Sequence, residues 1–143
     1  MGRANFSYVA WVGALLLAGC TDQYADREAI SGTVKLKGQP IPDGAIVMFE
    51  PLDKQDTAGN ATVAGGAFTV PRTAGLKAGR YLVRITAGDG KTAVNPMDPN
   101  SPPGPGGSNI ISKDLVPADW NVNSKQEVIV TKNGPNKFDF VIP

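Results

Sequence analysis

The stretch Ile30-Ser31-Gly32-Thr33-Val34-Lys35-Leu36-Lys37 decides the fold. Ile30, Gly32, Val34 and Leu36 alternate with Ser31, Thr33, Lys35 and Lys37. A period of two places the first set on one side of an extended chain and the second on the other, a half-buried strand with one wet face. Turn chemistry follows in Gly38-Gln39-Pro40-Ile41-Pro42-Asp43-Gly44. Ala45–Phe49 is apolar on both faces and predicts a central strand ended by Pro51, with residues 52–60 a polar loop. Ala61-Thr62-Val63 and Ala67-Phe68-Thr69-Val70, joined through Gly65-Gly66, predict a hairpin. Arg80–Thr86 predicts another strand, with Tyr81, Val83 and Ile85 on one face and Arg84 and Thr86 on the other. Glu127–Thr131 and Lys137–Ile142 flank Asn133-Gly134-Pro135-Asn136 and read as a second hairpin, with Phe138, Phe140 and Ile142 turned to the core. No apolar stripe of period 3.6 has useful length. Seven short strands at this spacing predict an all-β sandwich.

Composition narrows the chemistry. The chain has 143 residues, 14 basic and 13 acidic side chains, no histidine, one cysteine, 17 Gly and 12 Pro. Its length suits one domain with appendages. The charge balance lacks the basic footprint that nucleic-acid binding needs. Without histidine the commonest general base and the commonest metal ligand are missing. One cysteine forms no internal disulfide, thiolate zinc cluster or CxxC redox pair. No cofactor is expected.

Residues 1–19 read as a signal peptide. Arg3 supplies a positive start, no acidic residue precedes Asp22, and the run Val9–Leu17 is apolar before the small residues Ala18 and Gly19. Such a run is shorter than the roughly 20 residues a membrane-spanning helix requires, so a signal helix is expected there. Leu17-Ala18-Gly19-Cys20 resembles a bacterial lipoprotein lipobox. That resemblance implies cleavage between Gly19 and Cys20, a thioether-linked diacylglycerol on Cys20 and a further acyl chain, palmitate among them, on the new amine. Two or more chains make a stable anchor where one does not. Thr21 follows the cysteine where lipoproteins kept in the inner membrane often carry Asp, which points to the outer membrane. Residues 20–29 are polar and aperiodic and predict a lipidated tether, with the sandwich over 30–143. Removing 1–19 takes Arg3 away and leaves basic and acidic side chains equal in number.

The rhythm breaks at 88–109, a Pro/Gly-rich insert containing Pro102-Pro103-Gly104-Pro105-Gly106-Gly107. A connection of that length is functional or disordered, and this one reads as disorder or a mobile flap. Ile110-Ile111 and Leu115–Trp120 should return the chain to the sandwich.

Ser31-Gly32-Thr33-Val34, Lys37-Gly38-Gln39-Pro40-Ile41, Gly44-Ala45 and Val47-x-Phe49 resemble the opening of carboxypeptidase regulatory-like domains. Gly66-Ala67-Phe68 and Gly79-Arg80-Tyr81-Leu82-Val83 match later glycine-aromatic signatures of that group. The resemblance implies a transthyretin-like (prealbumin-like) seven-strand sandwich. Together with the lipobox, Leu115–Asn121 and the last strand, the chain is similar to small lipoproteins of planctomycete-type bacteria. Val63-Ala64-Gly65-Gly66 departs from the acidic loop that often precedes the glycine-aromatic pair. Transthyretin-related hydroxyisourate hydrolases share the architecture but depend on histidines and a Tyr-Arg-Gly-Ser C-terminus, whereas this chain ends Phe140-Val141-Ile142-Pro143.

Several side chains invite a site. Asp53 with Asp56, and Asp98 with Asn100, offer oxygen ligands for Ca²⁺, although both pairs are ordinary turn residues. Trp120 is a candidate for stacking on a sugar or peptide, or equally a core or lid anchor. Lys35, Lys37, Arg80 and Arg84 group into a basic face or a solvated sheet surface. The expected function is a membrane-anchored, non-catalytic envelope module that is structural or binds an envelope protein or glycan. The alternative is a small-molecule or glycan binder using a pocket near Trp120 and the 88–109 loop.

Overall fold

A computed structural model of the chain describes residues 23–89 and 113–143. The signal segment, Gly19 and Cys20 lie outside the described residues, as do Ile110-Ile111 and most of the 88–109 insert. The described chain is built of strands: β1 (Arg27–Glu28), β2 (Ile30–Leu36), β3 (Gln39–Pro40), β4 (Ile46–Pro51), β5 (Gly59–Thr62), β6 (Ala67–Val70), β7 (Leu76–Lys77), β8 (Gly79–Thr86), β9 (Gln126–Val130) and β10 (Lys137–Ile142). Two short 3₁₀ turns, η1 (Arg72–Ala74) and η2 (Ala118–Trp120), complete it. Among the described residues no helix is long and apolar enough to cross a membrane.

The strands form an all-β sandwich. One sheet runs β5-β4-β8-β9, antiparallel throughout. In the other, β2 pairs with β10 along one edge and with β6 and then β3 along the other. The β2–β10 pair is parallel, Lys137 opposite Ser31 and Ile142 opposite Leu36. A two-residue ribbon, β1 with β7, sits apart. The alternation read in Ile30–Leu36 is the burial pattern found, with Ile30, Gly32 and Val34 buried. Tyr81, Val83 and Ile85 are likewise all buried. β4 is central, between β5 and β8, but only one of its faces is fully buried, since Ile46 is 39% exposed on the other.

Aromatic rings bridge the two sheets. Phe49 of β4 lies 6.1 Å from Phe68 of β6 and 6.5 Å from Phe138 of β10. Phe68 stacks on Phe140 at 6.1 Å. These separations fall within the range where ring pairs attract beyond their buried area.

Neither expected hairpin forms. Gly65 and Gly66 both have positive φ (58° and 75°), and Ala64 and Ala67 exchange both backbone hydrogen bonds across them. That is the backbone geometry of a two-residue hairpin turn. After this single pair the chain divides, Ala61–Thr62 joining β4 and Ala67–Val70 joining β2. The turn carries the chain from one sheet to the other, so buried Ala61 and Phe68 line the core from opposite sides. Residues 131–136 make a second such crossing. There the Asn136 side chain accepts from Thr131 N (2.8 Å) and donates to Thr131 O (3.0 Å), satisfying a backbone that has left its sheet. The loop expected over 52–60 ends early, because Gly59 and Asn60 belong to β5. A Cβ at Gly59 would come within 2.9 Å of Leu76 Cδ2.

The tether expected over 20–29 is also shorter. Arg27 and Glu28 pair with Lys77 and Leu76. Arg72 donates from Nε to Tyr24 O (3.2 Å) and from Nη2 to Ala25 O (3.1 Å), and Lys77 meets Asp26 at 3.0 Å. Glu28 continues the inward parity of Ile30 and is buried. The chain is therefore fastened to the domain from Tyr24 onward.

Strand register sorts the loops to two ends. β1, β7, the 52–58 loop, Gly79 and the 131–136 crossing share one end. Lys37-Gly38, Asp43-Gly44 and the Gly65-Gly66 turn share the other, with Gly65 N donating to Asp43 Oδ1 (2.6 Å). The insert leaves from that second end. Gly88 bridges Asp114, Asp89 N donates to Lys113 O (3.0 Å), and Leu115 N donates to Ala87 O (2.7 Å). Gly88 and Asp89, read as insert, are thus paired. Leu115–Trp120 does return the chain to the sandwich, with Val116 buried.

Candidate functional site

The sequence-derived candidates do not converge. Asp53 accepts from Arg80 N (2.9 Å) and Arg80 Nη2 (2.9 Å). Asp56 instead meets Lys77 Nζ at 2.9 Å, beside Asp26. Each carboxylate fastens the loop between β4 and β5 to a different cation, and the two do not form a joint oxygen site. Asp98 and Asn100 lie outside the described residues. Among the described residues no group of three or more His, Cys, Asp or Glu is placed to hold a metal ion.

The basic quartet divides between sheets. Lys35 lies on β2 and Lys37 just beyond it, while Arg80 and Arg84 lie on β8 across the core. Parity placed each pair correctly on a wet face, but the wet faces belong to opposite sides of the sandwich. Arg84 is further engaged by Glu50 (2.9 Å) and by the carbonyls of Asn121 and Val122 (both 2.8 Å).

Trp120 sits on η2, half-buried, its ring edge-on to Phe140 at 6.4 Å and 75°. It closes an edge of the core. The 88–109 loop that would complete a pocket beside it lies mostly outside the described residues, and a cavity among the described residues lies at another place. It has a volume of about 510 Å³ and is lined by Arg27, Met48, Phe49, Glu50, Asn60 and Ala74, with Ala58 and Gly59 at its wall. Arg27 has no carboxylate partner among the described residues; its guanidinium lies 5.9 Å over the Tyr24 ring and reaches Gly75 O at 3.5 Å. One oxygen of the neighbouring Glu28 is buried without a hydrogen-bond partner. Sequence reasoning missed this corner because 20–29 was read as tether. The available signal was the parity Glu28, Ile30, Gly32, which extends the strand pattern backward.

The chain gives no match to family models, to curated proteins or to solved structures. Its functional reading rests on its own chemistry.

The strongest local chemistry is structural. Tyr81 Oη donates to Lys77 O (2.9 Å), and Thr57 Oγ1, which accepts from Lys77 N (3.0 Å), lies 2.9 Å from Tyr81 Oη. Each hydroxyl has one proton, so the Thr57 hydroxyl donates to Tyr81. Burial pushes the Tyr81 phenol above its ordinary value. Tyr81→Phe should leave Thr57 without its acceptor and the Lys77 carbonyl without its donor, costing about 1–3 kcal/mol in urea unfolding. An unchanged midpoint would show that the network carries no stability.

Acid should loosen the same end of the domain. The Arg80 backbone N–H and then its guanidinium hold Asp53 below the ordinary 3.8, and Lys77 does the same for Asp26 and Asp56. Carboxyls lowered on folding stabilise above the unfolded value and lose that contribution as pH falls through the folded one. Thermal stability should therefore hold at neutral pH and decline below about pH 4, and Asp53→Asn should shallow that decline.

Proposed function

We propose that this chain is a lipid-anchored protein of the cell envelope whose sandwich serves as a non-catalytic interaction module. The observation that carries the reading is Leu17-Ala18-Gly19-Cys20 after an apolar run, with the only cysteine of the chain in the acceptor position. The fastening of Tyr24–Glu28 supports it, because the folded domain begins almost where the lipid would end. The resemblance to transthyretin-like, carboxypeptidase regulatory-like lipoproteins belongs to the same proposal, as does outer-membrane placement. The absence of histidine supports a binding or structural role over hydrolysis. Labelled palmitate supplied to growing cells should enter the protein. An exported chain that stays unlabelled contradicts the reading.

A second reading, a small-molecule binder, is favoured by one observation, the cavity beside Arg27 and Asn60. This cavity is distinct from the pocket expected near Trp120 and the 88–109 loop.

A further inference from the structure

We infer that the end of the sandwich carrying Tyr24, Arg27 and Arg72 is seated on the phosphate layer of the bilayer that holds the chain. The inference rests on the lipid anchor at Cys20 and adds an orientation to it. Four residue steps separate Cys20 from Tyr24, the first residue gripped by Arg72, and four steps span at most about 14 Å. The longest strand, β8, has eight residues and spans about 26 Å. A leash shorter than the domain, attached at one end, keeps that end at the lipid surface.

The groups displayed there suit the surface. Neither Arg27 nor Arg72 has a carboxylate partner among the described residues; Arg72 spends its donors on the carbonyls of Tyr24 and Ala25, where the leash leaves. Lys54 and Lys132 stand on neighbouring loops of the same end, where Asp26, Asp53 and Asp56 are taken up in ion pairs with Lys77 and Arg80. The opposite end carries Asp43, Asp89 and Asp114 against Lys37 and Lys113. The potential of an anionic leaflet attracts basic groups and falls off within about 10 Å, so it acts on the first end and hardly on the second. Guanidinium matches phosphate in shape as well as charge, and Tyr24 beneath Arg27 is the ring type that favours the headgroup level. This seating turns the end from which the insert leaves, at Gly88 and Asp114, away from the membrane.

The test uses the full lipidated protein in vesicles of phosphatidylcholine with phosphatidylglycerol. Because lipid occupies Cys20, a single thiol introduced by Thr73→Cys on η1, or by Val141→Cys on the outer face of β10, can carry a fluorophore alone. A quencher attached to lipid headgroups should remove most of the emission at position 73 and little at 141. The contrast should shrink with Arg27→Gln and in phosphatidylcholine alone. Equal quenching at both positions, in protein that floats with the vesicles, overturns the orientation and leaves the anchor standing. A contrast indifferent to Arg27→Gln and to anionic lipid overturns the charge seating. Protein that carries an intact Cys20 and fails to float overturns the anchor and the orientation together.

Discussion

Phe49→Ala should cost the domain about 3–5 kcal/mol, a large share of the roughly 5–15 kcal/mol that holds a typical domain folded. Phe49 is 1% exposed and stands at the centre of β4. Its ring is the piece of the β5-β4-β8-β9 sheet that meets Phe68 and Phe138 of the other sheet. Truncation removes both ring contacts and leaves a hole between layers that strand pairing holds apart on either side. The backbone of β4 is tied to β5 and β8, so collapse onto the hole is restricted. Urea unfolding of the folded chain should show a much lower midpoint with an unchanged slope. Val141→Ala is the control. Val141 neighbours the core residues Phe140 and Ile142 in sequence but points outward and is 61% exposed, so its loss should cost less than about 0.5 kcal/mol. Equal losses from the two substitutions would mean that the layers do not pack through Phe49.

Cys20→Ala should abolish acylation and cleavage after Gly19 while leaving the fold intact. An acyl chain contributes about 0.8 kcal/mol per buried CH₂, and two or more chains hold a protein where one exchanges freely. The uncleaved chain keeps the apolar run Val9–Leu17, so the decisive readouts are acylation and cleavage. The fold lies outside the effect, since among the described residues the first fixed contacts begin at Tyr24 and the core at Ile30. The substituted chain should stay unlabelled by palmitate and accumulate as the larger, uncleaved precursor. Its unfolding midpoint should match that of the parent domain. Palmitate labelling or normal cleavage of the Cys20→Ala chain would contradict the assignment of Cys20 as the acylated residue.

Which residues are buried was legible in the sequence, and which strands are neighbours was not. Parity is local: it assigned Ile30, Val34, Tyr81, Val83 and Ile85 to the interior from nothing beyond their own stretches. Pairing is non-local. Gly65-Gly66 has the backbone of a hairpin turn, and the structure uses it to change sheets, so that Phe68 and Ala61 line the core from opposite layers. Gly32 shows the same limit. It read as one more inward position of a strand, but a Cβ there would run into the Phe138 carbonyl and the Phe68 ring. Its smallness serves the close parallel approach of β10, a partner more than a hundred residues later. The candidate sites failed for a related reason. Lys35 and Arg84 each sat on a wet face, and only the layering revealed that the core lies between them. The fastening of Tyr24–Glu28 depended on Arg72 and Lys77, whose roles no spacing within 20–29 announces.

The central claim is that a lipid on Cys20 holds this sandwich at a membrane. Intact-mass measurement of the protein extracted from its own membranes tests it most directly. The account predicts a chain beginning at residue 20, heavier than its amino acids by a diacylglyceryl group and an amide-linked acyl chain. A mass equal to the unmodified residues 20–143, or to the whole chain from Met1, would contradict it.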